Sequence, residues 1–175
     1  MIFHVRFTCA SDYNERRLPY RPAHLKQLEK LGTEGRVVGG GPEPDGTFAH
    51  IFYRVHDRAE LDGLLGDNEF NRAGLFVRSV PRAFVDFLEP LERPPLDAGL
   101  RVTIVEGVVA DRGRALAGLT TLRSTRDVAF GGIFADGAGL AVVRRADVDD
   151  ARRLVTDAGG WATDSLTTRP WSQTL

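Results

Sequence analysis

The sequence predicts an α+β fold built from two tandem modules, each with the element order βαββαβ. Three observations support this prediction. A proline-rich segment, Glu89–Gly99, divides the 175-residue chain near its middle. Each half alternates strand-like and helix-like hydrophobic patterns in the same order. Each half also contains an Asp-Gly turn, and the two turn glycines, Gly46 and Gly137, lie 91 residues apart.

In the first half, alternating or β-branched segments predict strands over residues 2–8, 36–40, 48–55 and 75–87. Pro81 lies inside the last of these and favours an edge strand or a bulge there. Pro22 suits the first turn of a helix over 22–34, whose leucines recur every three residues. Asp57 can cap a second helix. We therefore expect residues 1–89 to form the first module.

The second half repeats this order after a predicted linker over residues 90–99. Strands are predicted over 101–109, 128–134, 140–144 and 165–171, and helices over 112–122 and 147–157. An internal duplication is the simplest account, with residues 100–175 as a degenerate second module.

The order βαββαβ is that of the ferredoxin-like fold, in which two helices cover one face of a four-stranded antiparallel sheet. The other sheet face also needs a cover. We therefore expect the two modules to form a pseudo-dimeric α/β barrel with a small-molecule pocket. Pairing with a second chain, as in a homodimer, remains open.

The composition narrows the possible partners and locations. The formal net charge is −1 and the arginines are scattered, which disfavours a nucleic-acid partner. No apolar run approaches the roughly 18 residues of a membrane span, so no membrane contact is expected. The single cysteine, Cys9, fits a reducing compartment and resembles a buried small hydrophobe more than a nucleophile. The sequence therefore predicts a cytoplasmic protein.

Three motifs in order give the first half a family resemblance. The segment Arg21-Pro22-Ala23-His24-Leu25 resembles the R-P-x-H-L helix start of the YciI-like (YCII-related) family. Residues 35–42 are similar to the family's G-x-L-x-x-A/G-G-P stretch, and residues 70–76 to its F-x-x-A-G-L-F stretch. The resemblance covers roughly residues 1–89. The second half matches only in outline and contains no histidine.

The resemblance implies a fold of the dimeric α/β barrel superfamily and a histidine–aspartate pair at the site. A few related proteins process chlorinated or polyhydroxylated aromatic rings. The family histidine corresponds to His24. The family's D-D-P-F appears here as Asp67-Asn68-Glu69-Phe70, with Asn68 directly before the position of the missing proline. We expect Asp67 to orient His24, while Asn68 or Glu69 could replace the family aspartate.

The position of His24 supports a role as a base. It lies in the first turn of the predicted helix, where the helix dipole disfavours the imidazolium, so a neutral ring is expected near pH 7. Arg17, Arg21, Tyr20 and Asn68 are candidate substrate-binding residues, because arginines can hold an anionic oxygen through charge-assisted hydrogen bonds. The alternative for the arginines is an exposed ion pair with Glu15 or Asp12.

Other polar motifs predict no cofactor and no metal. Gly39-Gly40-Gly41-Pro42 is followed by no Lys-Ser/Thr pair and precedes a hairpin, so it is not a phosphate-binding loop. His4, His50 and His56 lack the close spacing of metal ligands.

The sequence leaves three functional hypotheses. The first is a cofactor-independent acid–base enzyme of the lyase, isomerase or cyclase type, acting on a small oxygenated substrate that is aromatic or polyketide-like. The second is a non-catalytic small-molecule-binding protein on the same fold. The third is a structural or interaction module whose tandem halves form a scaffold.

Overall fold

A computed structural model describes residues 1–92 and 99–174. The strands are β1 (Ile2–Cys9), β2 (Val37–Pro42), β3 (Phe48–Arg54), β4 (Phe76–Leu88), β5 (Leu100–Val108), β6 (Val128–Phe134), β7 (Ala138–Val143) and β8 (Thr167–Gln173). The helices are α1 (Tyr13–Arg16), α2 (Arg21–Thr33), α3 (Arg58–Asp67), α4 (Glu69–Arg72), α5 (Arg112–Ser124) and α6 (Val148–Ala158), with a 3₁₀ turn at Thr163–Ser165.

The described residues divide into two compact units. The first unit comprises residues 1–82 and 173–174, and the second comprises residues 83–92 and 99–172. Of the predicted linker, residues 93–98 lie outside the described part of the chain. The predicted module boundaries, the internal duplication and the pairing of the modules as a barrel stay predictions.

The first unit contains strands in the order β2-β3-β1-β4. Strand β3 pairs antiparallel with β1 and β2. Phe7 of β1 stacks against Phe76, with ring centroids 4.2 Å apart. Successive side chains of a strand point to opposite faces of the sheet. His4, an odd number of positions away, lies on the opposite face with Phe52.

The second unit repeats this order with β6-β7-β5-β8, and the end of β4 pairs with β6. Its core is apolar and includes Val105, Leu119, Val143 and Val155. Each unit has the four-strand order of the ferredoxin-like fold, so the predicted α+β fold class is confirmed.

Both units contain a bulge at the same place in the ladder. In the first, the pairing with β3 shifts between Val37 and Gly39. In the second, the pairing with β7 shifts between Val128 and Phe130. A bulge inserts one extra residue into one strand and therefore gives a fixed reference point for comparing the two ladders.

Helices α3 and α6 begin directly after capping aspartates. Asp57 accepts a hydrogen bond from the Glu60 amide at 2.9 Å, and Asp147 accepts one from the Asp150 amide at 2.9 Å. The short helices α1 and α4 were not expected. None of the helices in the part of the chain that the structure describes combines the length and apolar character that a membrane crossing needs.

Candidate active site

His24 lies in the first turn of α2 and is buried. Its ring is stacked on Phe70, with centroids 3.8 Å apart and planes 12° from parallel. Its edge faces the ring of Phe76, whose centroid is 6.2 Å away. The ring atom Nδ1 is buried and has no hydrogen-bond partner among the described residues. His24 therefore lies in an aromatic cluster with one polar atom unsatisfied.

Burial lowers the pKa of His24 to about 4, and the nearby Arg21 guanidinium lowers it further in the same direction. The ring is therefore neutral at pH 7, as expected from the sequence. The main cause differs from the expected one: desolvation by the surrounding apolar side chains disfavours the imidazolium most.

The carboxylate of Asp67 is paired with Arg72 in the structure. Its side chain is 76% exposed, and its carboxylate lies 3.6 Å from Nη2 of Arg72. Its backbone carbonyl accepts a hydrogen bond from Nε2 of Gln27 at 2.9 Å. Asp67 is the last residue of α3, and its carboxylate is directed to Arg72. No hydrogen bond joins the Asp67 carboxylate to His24 among the described residues, and the histidine–aspartate pair stays a prediction.

Asn68 is buried and supports the ring on which His24 stacks. Its Oδ1 accepts hydrogen bonds from the amides of Phe70 at 2.9 Å and Asn71 at 3.3 Å, which caps α4. Its side chain also contacts the hydroxyl of Tyr53, and burial raises the pKa of that hydroxyl. Asn68 thus fixes the start of α4 and the position of Phe70.

Arg17 joins the same aromatic cluster. Its guanidinium lies over the ring of Tyr13, 5.0 Å from the centroid, and Tyr13 meets Phe70 edge-on at 5.8 Å. Its Nε is buried without a hydrogen-bond partner among the described residues. The ion pair with Asp12 at 3.2 Å is made by Arg16.

Tyr20 and Arg21 stand at the start of α2. Tyr20 is the residue that precedes the helix and is 37% exposed, while Arg21 is half-buried and close enough to act on the pKa of His24. The structure thus brings His24, Arg17 and Arg21 to one end of α2, while the Asp67 carboxylate is directed to Arg72.

A second polar group was missed in the sequence. Nε2 of His50 lies 3.0 Å from Oε1 of Glu43, and Nδ1 of His50 lies 2.9 Å from Nε2 of His4. Both histidines are buried, and the Glu43 side chain is 11% exposed. Among the described residues, no group of three or more His, Cys, Asp or Glu side chains is arranged to hold a metal ion. The alternation of β1 and β3 could have placed His4 and His50 on one face.

No family model and no curated protein matches the chain. Two solved structures of monooxygenase-like proteins align with 99% of it. The one from Lactobacillus acidophilus NCFM has 12% identity, a TM-score of 0.58 and 94% of its own chain covered. The one from Fusobacterium nucleatum has 11% identity, a TM-score of 0.57 and 92% of its own chain covered.

A third solved structure is 5-chloro-2-hydroxyhydroquinone dehydrochlorinase from Burkholderia phenoliruptrix AC1100, in complex with 2,5-dihydroxybenzoquinone. It aligns with 48% of this chain and 93% of its own at 22% identity, with a TM-score of 0.44. The two whole-chain likenesses show a ferredoxin-like α+β fold.

Proposed function

We propose that the chain is a cofactor-independent acid–base enzyme of the YciI-like type, with His24 as its base. The reaction class is elimination, isomerisation or cyclisation of a small oxygenated substrate that is aromatic or polyketide-like. The observation that supports this most directly is the buried, neutral ring of His24, stacked on Phe70 with Nδ1 unsatisfied. A buried nitrogen without a hydrogen bond is costly, and a ligand group can remove that cost.

Two further polar atoms near Phe70 support a ligand. Nε of Arg17 is buried without a hydrogen-bond partner in the described part of the chain, and the buried hydroxyl of Tyr53 contacts the side chain of Asn68. Arg17 lies over the ring of Tyr13, and Tyr13 contacts Phe70. Asn68 in turn accepts a hydrogen bond from the Phe70 amide. The cluster offers N–H and O–H donors as well as a nitrogen acceptor, which suits a flat molecule with several oxygen atoms.

The pKa of about 4 restricts the chemistry of His24. Such a ring takes a proton only from an acidic donor, or after an anionic group beside it has raised its pKa. Arg17 and Arg21 would stabilise the anion left on the substrate, and Tyr20 would donate to the same oxygen. In the proposed step the substrate bond to hydrogen breaks, its electron pair stays on the substrate, and Nδ1 of His24 binds the proton.

A non-catalytic binding protein is the second candidate, and one observation favours it. The position before the missing family proline is Asn68, whose Oδ1 is used to cap α4, and the neighbouring carboxylate of Asp67 is exposed. A ring that lacks an orienting carboxylate can still accept a hydrogen bond from a ligand. Saturable binding of a compound that stays chemically unchanged would support this candidate.

The test compares the wild type, His24→Gln and His56→Gln on a panel of hydroxylated quinones, chlorinated hydroquinones and polyketide-like enols. Absorbance and mass spectrometry measure the conversion of each compound. His56 is the matched control because its side chain is 94% exposed. We expect wild type and His56→Gln to convert at least one compound at similar rates, and His24→Gln to lose that activity while keeping its circular dichroism spectrum. Wild-type turnover in His24→Gln would contradict the proposal.

We also propose a cellular location from the state of the single cysteine. The single cysteine, Cys9, is unpaired and buried. A chain without a disulfide is suited to the reducing cytoplasm, where we propose that this protein acts.

A further inference from the structure

Glu43, His50 and His4 form a linear chain of hydrogen bonds in the first unit. Glu43 follows β2, His50 lies on β3, and His4 lies on β1. The two imidazole rings are nearly parallel, with centroids 5.2 Å apart, and His4 also stacks on Phe52 at 4.7 Å. This group lies on the sheet face opposite to that of Phe7, so it is separate from the cluster around His24.

The hydrogen bonds assign the protons along this chain. A carboxylate only accepts, so Nε2 of His50 donates its proton to Glu43. A neutral imidazole carries one proton, so one ring nitrogen donates and the other accepts. Nδ1 of His50 is therefore an acceptor, and Nε2 of His4 donates to it. Because the proton of His4 is on Nε2, its lone pair is on Nδ1. The network therefore fixes both tautomers and makes Nδ1 of His4 the basic end.

The second unit has apolar residues at all three positions. When the two ladders are aligned at their bulges, Tyr53 corresponds to Val143, and the β1 and β3 pairs correspond to the β5 and β7 pairs. His4 then corresponds to Ile104, and His50 corresponds to Leu140.

The turn hydrogen bonds extend the same alignment to Glu43. The Gly46 amide donates to the Glu43 carbonyl, and the Gly137 amide donates to the Phe134 carbonyl, so Glu43 corresponds to Phe134. Ile104, Leu140 and Phe134 are all buried. The fold is thus built with apolar side chains at these positions in one unit. Because buried polar groups stabilise a fold less than well-packed apolar ones, their presence in the first unit points to a role beyond packing.

We propose that Glu43, His50 and His4 form a second acid–base site, which accepts a proton at Nδ1 of His4 from a weakly acidic hydroxyl group of a small molecule. Two cations share this sheet face: Arg6, opposite His50 in the ladder, and Arg54, opposite Ile2. Arg6 also lies over the ring of Phe48, 5.0 Å from its centroid. Aromatic rings and an arginine suit a phenol or an enol that becomes an anion.

The proton transfer balances within the chain of hydrogen bonds. The O–H bond of the ligand breaks, its electron pair stays on oxygen, and a bond from hydrogen to Nδ1 of His4 forms. The positive charge on His4 is then stabilised through His50 by the carboxylate of Glu43. Glu43 and His50 act as positioning residues, and His4 is the residue that contacts the ligand.

Nitrogen NMR of the ¹⁵N-labelled full chain tests the proton positions directly. At pH 7 we expect the ring nitrogens of His4 and His50 to show protonated Nε2 and unprotonated Nδ1. In Glu43→Gln we expect the His50 tautomer to change, because a side-chain amide can donate to Nε2 of His50 where a carboxylate only accepts. In His24→Gln both rings should keep the wild-type pattern. A proton on Nδ1 of His4 in wild type, or an unchanged pattern in Glu43→Gln, would overturn the proposal.

The double variant His4→Ile/His50→Leu copies the second unit and tests whether the pair is structural. We expect it to fold and to melt at or above the wild-type temperature; failure to fold would overturn the argument from Ile104 and Leu140.

The probe 4-nitrophenol tests the ligand class. Its phenolate absorbance is measured at a pH below its own pKa. We expect phenolate to form on wild type and on His24→Gln but not on the double variant. Equal phenolate in all three proteins, or none on wild type, would overturn the proposal, whatever the outcome at His24.

Discussion

The ring of His24 lies 3.8 Å from the ring of Phe70, centroid to centroid, with the planes 12° from parallel. An imidazole packed on a phenyl ring can remain neutral at little cost, but it loses most of the water that would stabilise its charged form. The contact therefore links the packing of α2 on α4 to the charge state of the proposed base.

The first prediction concerns the pH dependence of stability. The pKa of His24 is about 4 in the folded chain and near 6.5 when unfolded, so between these values the unfolded chain binds the extra proton. The free energy of unfolding therefore falls as pH falls from 6.5 toward 4, by up to about 3 kcal/mol from this residue. His24→Phe should keep the stacking and lose this part of the pH dependence.

Urea unfolding at pH 7 and pH 5 measures that difference. The control is His56→Gln, because His56 is 94% exposed and should leave the pH dependence of the wild type unchanged. If His24→Phe lost as much stability as wild type between the two pH values, His24 would not be desolvated as described.

The second prediction compares two neighbouring residues, Asn68 and Asp67. Asn68→Ala removes the cap of α4 and should lower the free energy of unfolding by about 1 kcal/mol. Asp67→Ala removes an exposed ion pair with Arg72 and should change it by about 0.5 kcal/mol or less. Chemical denaturation of both variants measures this order, and a larger loss for Asp67→Ala would contradict the placement of the two side chains.

Local signals in the sequence predicted most of the fold. Asp57 and Asp147 cap their helices as expected, and strand β6 spans the predicted residues 128–134. These features depend on neighbours within a few residues. Pro81 was expected to mark an edge strand or a bulge, and the strand that contains it is continuous from Phe76 to Leu88. The bulge in this strand lies between Phe84 and Asp86 instead.

The candidate site was less predictable because it depends on contacts that are distant in sequence. The helix start at His24 could be identified from a motif, but its pKa is determined mainly by burial in the folded chain. The direction of the Asp67 side chain depends on the residue at which α3 ends. The hydrogen bond between His4 and His50 requires the register of β1 against β3, which spacing along the chain does not supply.

The third prediction concerns the reactivity of Cys9. Burial raises the pKa of its thiol to about 12, while the charge of Arg17 opposes part of that shift. Since the thiolate is the reactive form, iodoacetamide at pH 8 should leave the native chain almost unmodified and should modify it fully in urea. Intact mass spectrometry gives the answer without ambiguity, because Cys9 is the only cysteine in the sequence. Native labelling as fast as that of a free thiol would contradict the burial of Cys9.

The fourth prediction tests the packing of α5 on α6 with matched glycine variants. Replacing a helical glycine by alanine usually stabilises a helix by roughly 1 kcal/mol. Gly63 in α3 has nothing within 4 Å of an added Cβ, so Gly63→Ala should show this gain.

An added Cβ on Gly118 in α5 would lie 2.7 Å from the carbonyl oxygen of Ala158 and 2.8 Å from its Cβ. These atoms belong to the end of α6 and cannot move without shifting that helix, so Gly118→Ala should lower the free energy of unfolding by about 1–3 kcal/mol. Urea unfolding of both variants measures the opposite signs, and a gain for Gly118→Ala equal to that for Gly63→Ala would mean that α5 and α6 do not approach each other at Gly118.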